Sequence, residues 1–161
     1  MFLIVTRNYP PDVGGMQMLM GGLSESLLNH GPVKVFADEY PNSDLYDNKI
    51  SISIERVKGI KLFRKYRKGN LVNNFINTND NIRALIADHW KSLELINTDK
   101  KKYCLIHGKE INHPKGSSLN KRIIKVLNNV SNSNKKLPAR CGRNANVDGW
   151  FIRKFIKPWS R

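Results

Sequence analysis

Apolar and polar positions fall in blocks along the chain, and the blocks predict its elements. Residues 2–5, "FLIV", form an unbroken apolar run, the pattern of a parallel strand covered on both faces. After the loop "RNYPPDVGG", Met16, Leu19, Met20, Leu23 and Leu27 recur at helical spacing. Gly31 and Pro32 follow His30 and stop that helix. "VKVFA" at 33–37 predicts a second strand. Strand, glycine loop, helix and strand in this order make a βαβ unit, the opening of a doubly wound α/β domain with a mostly parallel sheet.

Residues 38–49 are polar and broken by Pro41, and are read as a connection. "ISISIERV" at 50–57 alternates apolar and polar positions, which predicts a strand with one exposed face. Residues 60–68 mix basic and apolar side chains, and the Asn-rich stretch 70–81 predicts a helix of weak propensity. "IRALIADHW" at 82–90 reads either as a helix end or as a buried strand. "YCLIHGKEI" at 103–111 reads as a short strand whose loop begins with His-Gly. In "LNKRIIKVLNNV" at 119–130, Leu119, Ile123, Ile124, Val126 and Leu127 lie on a helical stripe. Beyond Val130 the periodicity stops. The expected organisation is therefore one domain over 1–130 and a basic tail over 131–161 without a settled fold.

Charge sharpens that division. The 161 residues carry a net charge of +15, and its placement is uneven. Residues 1–97 hold 12 Lys and Arg against 10 Asp and Glu, whereas residues 98–161 hold 16 against 3. Such asymmetry points to attraction toward an anionic partner, nucleic acid or an acidic membrane surface. "FRKYRK" at 63–68 and "DKKKY" at 99–103 set cations beside aromatics, though a solvated face is the plainer reading of such short runs. No nucleic-acid motif accompanies them, so nucleic acid is not the expected partner. The two cysteines, Cys104 and Cys141, have neither disulfide-framework nor metal spacing, which suits a reducing cytoplasmic setting. "MFLIV" lacks the basic flank and length of a signal peptide, and no window is apolar enough for a membrane span.

The candidate chemistry gathers at one predicted sheet edge. A strand followed by glycines that open a helix can turn backbone N–H groups and the helix dipole toward an anion. Gly14 and Gly15 stand in that place, without completing a G-x-G-x-x-G or Walker A pattern; a plain strand-to-helix turn is the alternative. His107, directly before Gly108, ends another strand-like run, and ligands of open α/β sheets bind beyond the carboxyl ends of strands. There it could serve as acid, base or hydrogen-bond donor, against the alternative of a surface-loop histidine. Asp88, His89 and Glu110 read as solvated loop residues. Ser92 and Cys104 lack any nucleophile motif.

Taken in order, "FLIVTRNYPPDVGGMQMLMGGLSESLLNHGPVKVFA", "IADHWKSLELI" and "YCLIHGKEI" resemble the first half of family 4 glycosyltransferases of the GT-B fold. The resemblance covers residue 1 to about residue 130. It implies a Rossmann-like domain on the acceptor side of a retaining enzyme that moves a sugar from a nucleotide-sugar to a glycan or lipid-linked acceptor. It implies that Gly14 and Gly15 lie against the donor diphosphate and that His107 lies near the donor sugar as the catalytic residue. It places Tyr9, Asp12, Gly108 and Glu110 on the acceptor side. No metal or other cofactor is implied. Peripheral attachment to an anionic membrane at its cytoplasmic face would suit the basic segments. The sequence departs from the family at "HGPVKV", a helix end rather than a site, and after Val130, where no donor-binding domain is recognisable. The chain is accordingly expected to be inactive alone, as a truncated or frameshifted copy or as a domain that needs a partner chain. The competing expectation is a non-catalytic basic module that binds nucleic acid or anionic membrane.

Overall fold

The structure is a computed structural model that describes residues 1–106, 113–128 and 130. Five strands, β1 (Phe2–Val5), β2 (Val33–Asp38), β3 (Ser53–Val57), β4 (Ala84–Ala87) and β5 (Lys102–Cys104), form one sheet in the order β3-β2-β1-β4-β5. Every pairing is parallel. Five helices complete the element order: α1 (Gly15–Leu28), α2 (Ser43–Asp47), α3 (Lys61–Asn77), α4 (Trp90–Leu93) and α5 (Ser118–Leu127). This is a Rossmann-like α/β fold.

Alternation along the central strands divides the core between the two faces of the sheet. Leu3 and Val5 of β1, Phe36 of β2 and Leu85 and Ala87 of β4 pack with Val72 and Ile76 of α3, Trp90 and Leu93 of α4, and Ile123, Val126 and Leu127 of α5. Ile4, Val35 and Ile86 point the other way, onto Met20 and Leu27 of α1. Each central strand is thus apolar on both sides, which is why β1 and β4 read as continuous runs. β3 is an edge strand with only its last residue, Val57, buried, and its exposed positions explain the alternation seen in the sequence.

Several boundaries differ from the expected ones. β1 falls on residues 2–5 as expected, but the strand expected over 50–57 begins only at Ser53. The connection over 38–49 contains the short helix α2, which contributes Tyr46 to the α1 face of the core. The basic run and the Asn-rich stretch join into one 17-residue helix, α3. "IRALIADHW" resolves in favour of the buried strand, with α4 starting at Trp90. Among the described residues no helix is long and apolar enough to cross a membrane. The expected tail at 131–161 lies outside the described residues.

Candidate functional site

The strand order places a switch point between β1 and β4. The chain leaves β1 toward α1 on one face and leaves β4 toward α4 on the other. Loops that part in this way open a crevice at the carboxyl ends of the two strands, where open α/β sheets bind ligands.

Asp88, one residue beyond β4, holds that crevice together. Its Oδ2 lies 2.8 Å from the Thr6 hydroxyl and accepts the Arg7 N–H at 2.9 Å, while Oδ1 accepts the Ser92 hydroxyl at 2.8 Å. The residue is only 2 % exposed, so these donors replace water around a buried carboxylate. The expectation of a solvated loop aspartate is therefore corrected: Asp88 clasps the ends of β1 and β4. Its neighbour His89 caps α4, with Nδ1 accepting the Lys91 N–H at 2.9 Å.

A buried cation lies beside the clasp. Lys68 reaches from α3 to donate to the Thr6 carbonyl at 2.6 Å, and its ammonium also pairs with Asp38 at the end of β2. Burial pushes the Lys68 ammonium below its ordinary value, while the charge and hydrogen bond of Asp38 pull it back up. The ends of β1 and β2 and the middle of α3 are thereby tied at one charged point. Lys68 lies four residues before Val72 and eight before Ile76, on the buried stripe of α3. That spacing was the available signal for a buried lysine; it was masked by the basic run around it.

The loop from Asn8 to Gly14 is anchored from below. Tyr9 is buried, and since the Ser24 hydroxyl donates to the Gly21 carbonyl at 2.6 Å, the Tyr9 hydroxyl donates to Ser24 Oγ at 2.6 Å. Burial raises the Tyr9 phenol to about 12, with the Ser24 hydrogen bond acting in the opposite sense. Its ring stands edge-on to Tyr46 and beneath the Arg56 guanidinium. Arg56 pairs with Asp47 at 2.6 Å and donates to the Pro10 carbonyl. Tyr9, expected on the acceptor side, is buried here, with its ring and hydroxyl engaged in holding the loop. Pro10 packs over Gly21, where an added Cβ would come 3.0 Å from the proline Cγ.

The two expected glycines differ. Gly14 is the N-cap of α1 in extended backbone, with no side-chain cap on the helix. Gln17 folds back over it to donate to Asp12 Oδ2, so an added Cβ at Gly14 would strike the Gln17 amide. Gly15 is exposed, with nothing within 4 Å of the place a Cβ would occupy. The first α-helical hydrogen bond runs from Met18 N to Gly14 O, and no acidic residue occupies the first turn. The N–H groups of Gly15, Met16 and Gln17 therefore precede the helical ladder at the positive end of a 14-residue helix. Asp12 is the one expected acceptor-side residue seen at the mouth of this loop, held there by Gln17.

His107, Gly108 and Glu110 lie outside the described residues, which on this side end at Ile106. The Leu105 N–H bonds the Ala87 carbonyl at 2.8 Å, continuing the register of β5 toward the same carboxyl edge. Among the described residues no group of three or more His, Cys, Asp and Glu is placed to hold a metal ion. No protein-family model matches this chain and no curated protein matches it, so the functional reading rests on its residues and their geometry.

Proposed function

We propose that residues 1–130 form the acceptor-side, Rossmann-like half of a GT-B glycosyltransferase acting on a nucleotide-sugar. The observation that carries this reading is the uncapped amino end of α1, opened by Gly14 and Gly15 at the sheet's switch point. The ordered resemblance of "PPDVGG", "IADHW" and "IHGKE" to that family supports it. In this reading the donor diphosphate lies over Gly15, where the backbone is open, and takes the N–H groups of the first turn. Gln17 and Asp12 then swing aside, because Gln17 covers Gly14 and the Asp12 carboxylate would repel the phosphates. His107 acts at the donor sugar, with Gly108 and Glu110 beside the acceptor. Retaining transfer also needs cations on the leaving diphosphate, supplied by a second, donor-binding domain.

Calorimetric titration of the full chain with UDP- and GDP-sugars tests the reading. The expected result is binding that is lost in Gly15→Asp, which puts a carboxylate into open space without disturbing the packing. Equal binding by that variant, or binding by neither protein, would refute the diphosphate site. Robust sugar transfer by the chain alone would instead refute its dependence on a second domain.

The surface of α3 extends the reading to the cytoplasmic face of a membrane. Ile60, Leu62, Phe63 and Tyr66 are more than half exposed, and residues 58–79 contain six Lys and Arg with no Asp or Glu. Exposed aliphatic side chains among cations suit an anionic bilayer, into which they insert, better than a nucleic acid. The same surface also supports the second reading, a non-catalytic basic module. Binding of UDP- or GDP-sugars at Gly15 discriminates between the two.

A further inference from the structure

Arg7 opens the loop that Gly14 and Gly15 close, two residues beyond β1 and at the switch point between β1 and β4. Its place there is fixed through the backbone, since its N–H donates to the buried Asp88 carboxylate at 2.9 Å. The residue is exposed, and its guanidinium has no hydrogen-bond or ion-pair partner among the described residues. In this it stands apart from the other described arginines. Arg56 binds Asp47 and the Pro10 carbonyl, Arg64 the Gly59 carbonyl and Asp38, Arg67 the Ile60 carbonyl, Arg83 the His30 carbonyl and Arg122 the Glu94 carboxylate. Five of the six described arginines are thus spent on holding the fold, and the sixth is left open at the crevice.

The charge of Arg7 is moreover unfavourable to its surroundings. Burial already holds the Lys68 ammonium below its ordinary value, and the Arg7 charge pushes it the same way, against the pull of Asp38 and Asp88. The carboxylates of this edge are engaged with other groups. Asp88 takes the Thr6 and Ser92 hydroxyls with the Arg7 N–H, Asp38 pairs with Lys68 and Arg64, and Asp12 takes the Gln17 amide. A cation kept at a cost to its neighbour, with no partner of its own, is the arrangement expected of a group that meets its partner in a ligand. An anion in the crevice would relieve the repulsion between Arg7 and Lys68.

We propose that Arg7 binds the diphosphate of the nucleotide-sugar, its guanidinium taking phosphate oxygens at the end of β1 while the first-turn N–H groups of α1 take others. The inference rests on the diphosphate reading of the glycine loop. It gives that site a side-chain cation from this half of the enzyme, besides those of a donor-binding domain. A guanidinium suits the task, because its planar fork of donors matches phosphate oxygens and keeps its charge at any working pH. The Asp88 clasp serves the same end by fixing the backbone from which Arg7 reaches.

The test is titration of the full chain and of its Arg7→Gln variant with UDP-glucose and GDP-mannose, followed by backbone amide and arginine Nε–H resonances. Thermal melts of both proteins without ligand accompany it. With at least one donor, saturable shifts are expected at the Gly15 amide and at Arg7 Nε–H of the unaltered chain. Arg7→Gln should weaken that binding about tenfold or more. Its melting temperature should stay equal or rise, because the substitution removes repulsion from Lys68, whereas a merely structural arginine would lose stability with affinity. Equal affinity in Arg7→Gln with the Gly15 amide still moving, or an unmoved Arg7 Nε–H, overturns this proposal alone. So does a melting temperature that falls together with the affinity. An unmoved Gly15 amide in the unaltered chain with both donors overturns the proposal together with the diphosphate reading.

Discussion

Asp88 and Lys68 show how two charged side chains can serve the interior of a sheet edge. Asp88 gathers the Thr6 hydroxyl, the Arg7 N–H and the Ser92 hydroxyl at one carboxylate, and the Thr6 hydroxyl also lies 2.8 Å from the Asn8 carbonyl. Asp88→Ala is expected to cost about 2–4 kcal/mol, because the Arg7 N–H and the Ser92 hydroxyl lose their acceptor and the buried Thr6 hydroxyl loses one of its two partners; chemical denaturation measures it. Lys68 differs in that burial disfavours its charge. Lys68→Met alone leaves Asp38 facing the interior without its ammonium and the Thr6 carbonyl without its donor. A loss of about 3 kcal/mol is expected. Adding Asp38→Asn should recover part of it, and a double-mutant cycle with no coupling would contradict the pairing. Neither role could be read from the sequence, because the partners lie far apart in the chain: Thr6 from Asp88 and Thr6 from Lys68. A histidine-aspartate neighbour pair draws attention in sequence, yet the described bonds of Asp88 go to β1 and to Ser92.

At the scale of elements, periodicity was informative wherever one physical constraint dominated. β1, α1 and β2 were legible because their apolar residues face a core on fixed spacings, and the glycine loop was legible between them. α3 was split in the reading because four exposed or half-exposed cations and a run of asparagines hide the stripe of Lys68, Val72 and Ile76. α2 was missed since five residues carry too little pattern. Glu94 links α3, α4 and α5 through Lys65 and Arg122. Burial alone would raise its carboxyl, but these two hydrogen bonds and charges outweigh it and leave it below its usual 4.5. A lowered folded value contributes stability above the unfolded value, and that contribution disappears as pH falls through the folded one. Glu94→Gln should therefore flatten the loss of stability below about pH 4.5 while reducing stability at neutral pH modestly. An unchanged acid limb in thermal melts would contradict the linkage.

For the whole molecule, the arrangement of charge matters more than its total. Among the described residues, cations stand beside exposed apolar side chains at the amino end of α3, where Ile60, Leu62, Phe63 and Tyr66 are exposed. Leu62→Glu combined with Phe63→Glu changes two exposed side chains, so stability should stay within about 1 kcal/mol. Co-sedimentation with phosphatidylglycerol vesicles should fall to the level seen with phosphatidylcholine. Retained sedimentation would place any membrane contact elsewhere. The Rossmann-like sheet follows from residues that the sequence displays openly. The functional edge is less legible, since the clasp is long-range and His107, Gly108 and Glu110 lie outside the described residues.

The central claim is that the amino end of α1 is a diphosphate cradle. Its most direct test is an amide-resolved titration of the full chain with UDP-glucose and GDP-mannose. With at least one of them, the account predicts the largest saturable shifts at Gly15, Met16 and Gln17, with the Gln17 side-chain amide moving as it leaves Asp12. The absence of any shift at these residues with both donors would contradict it.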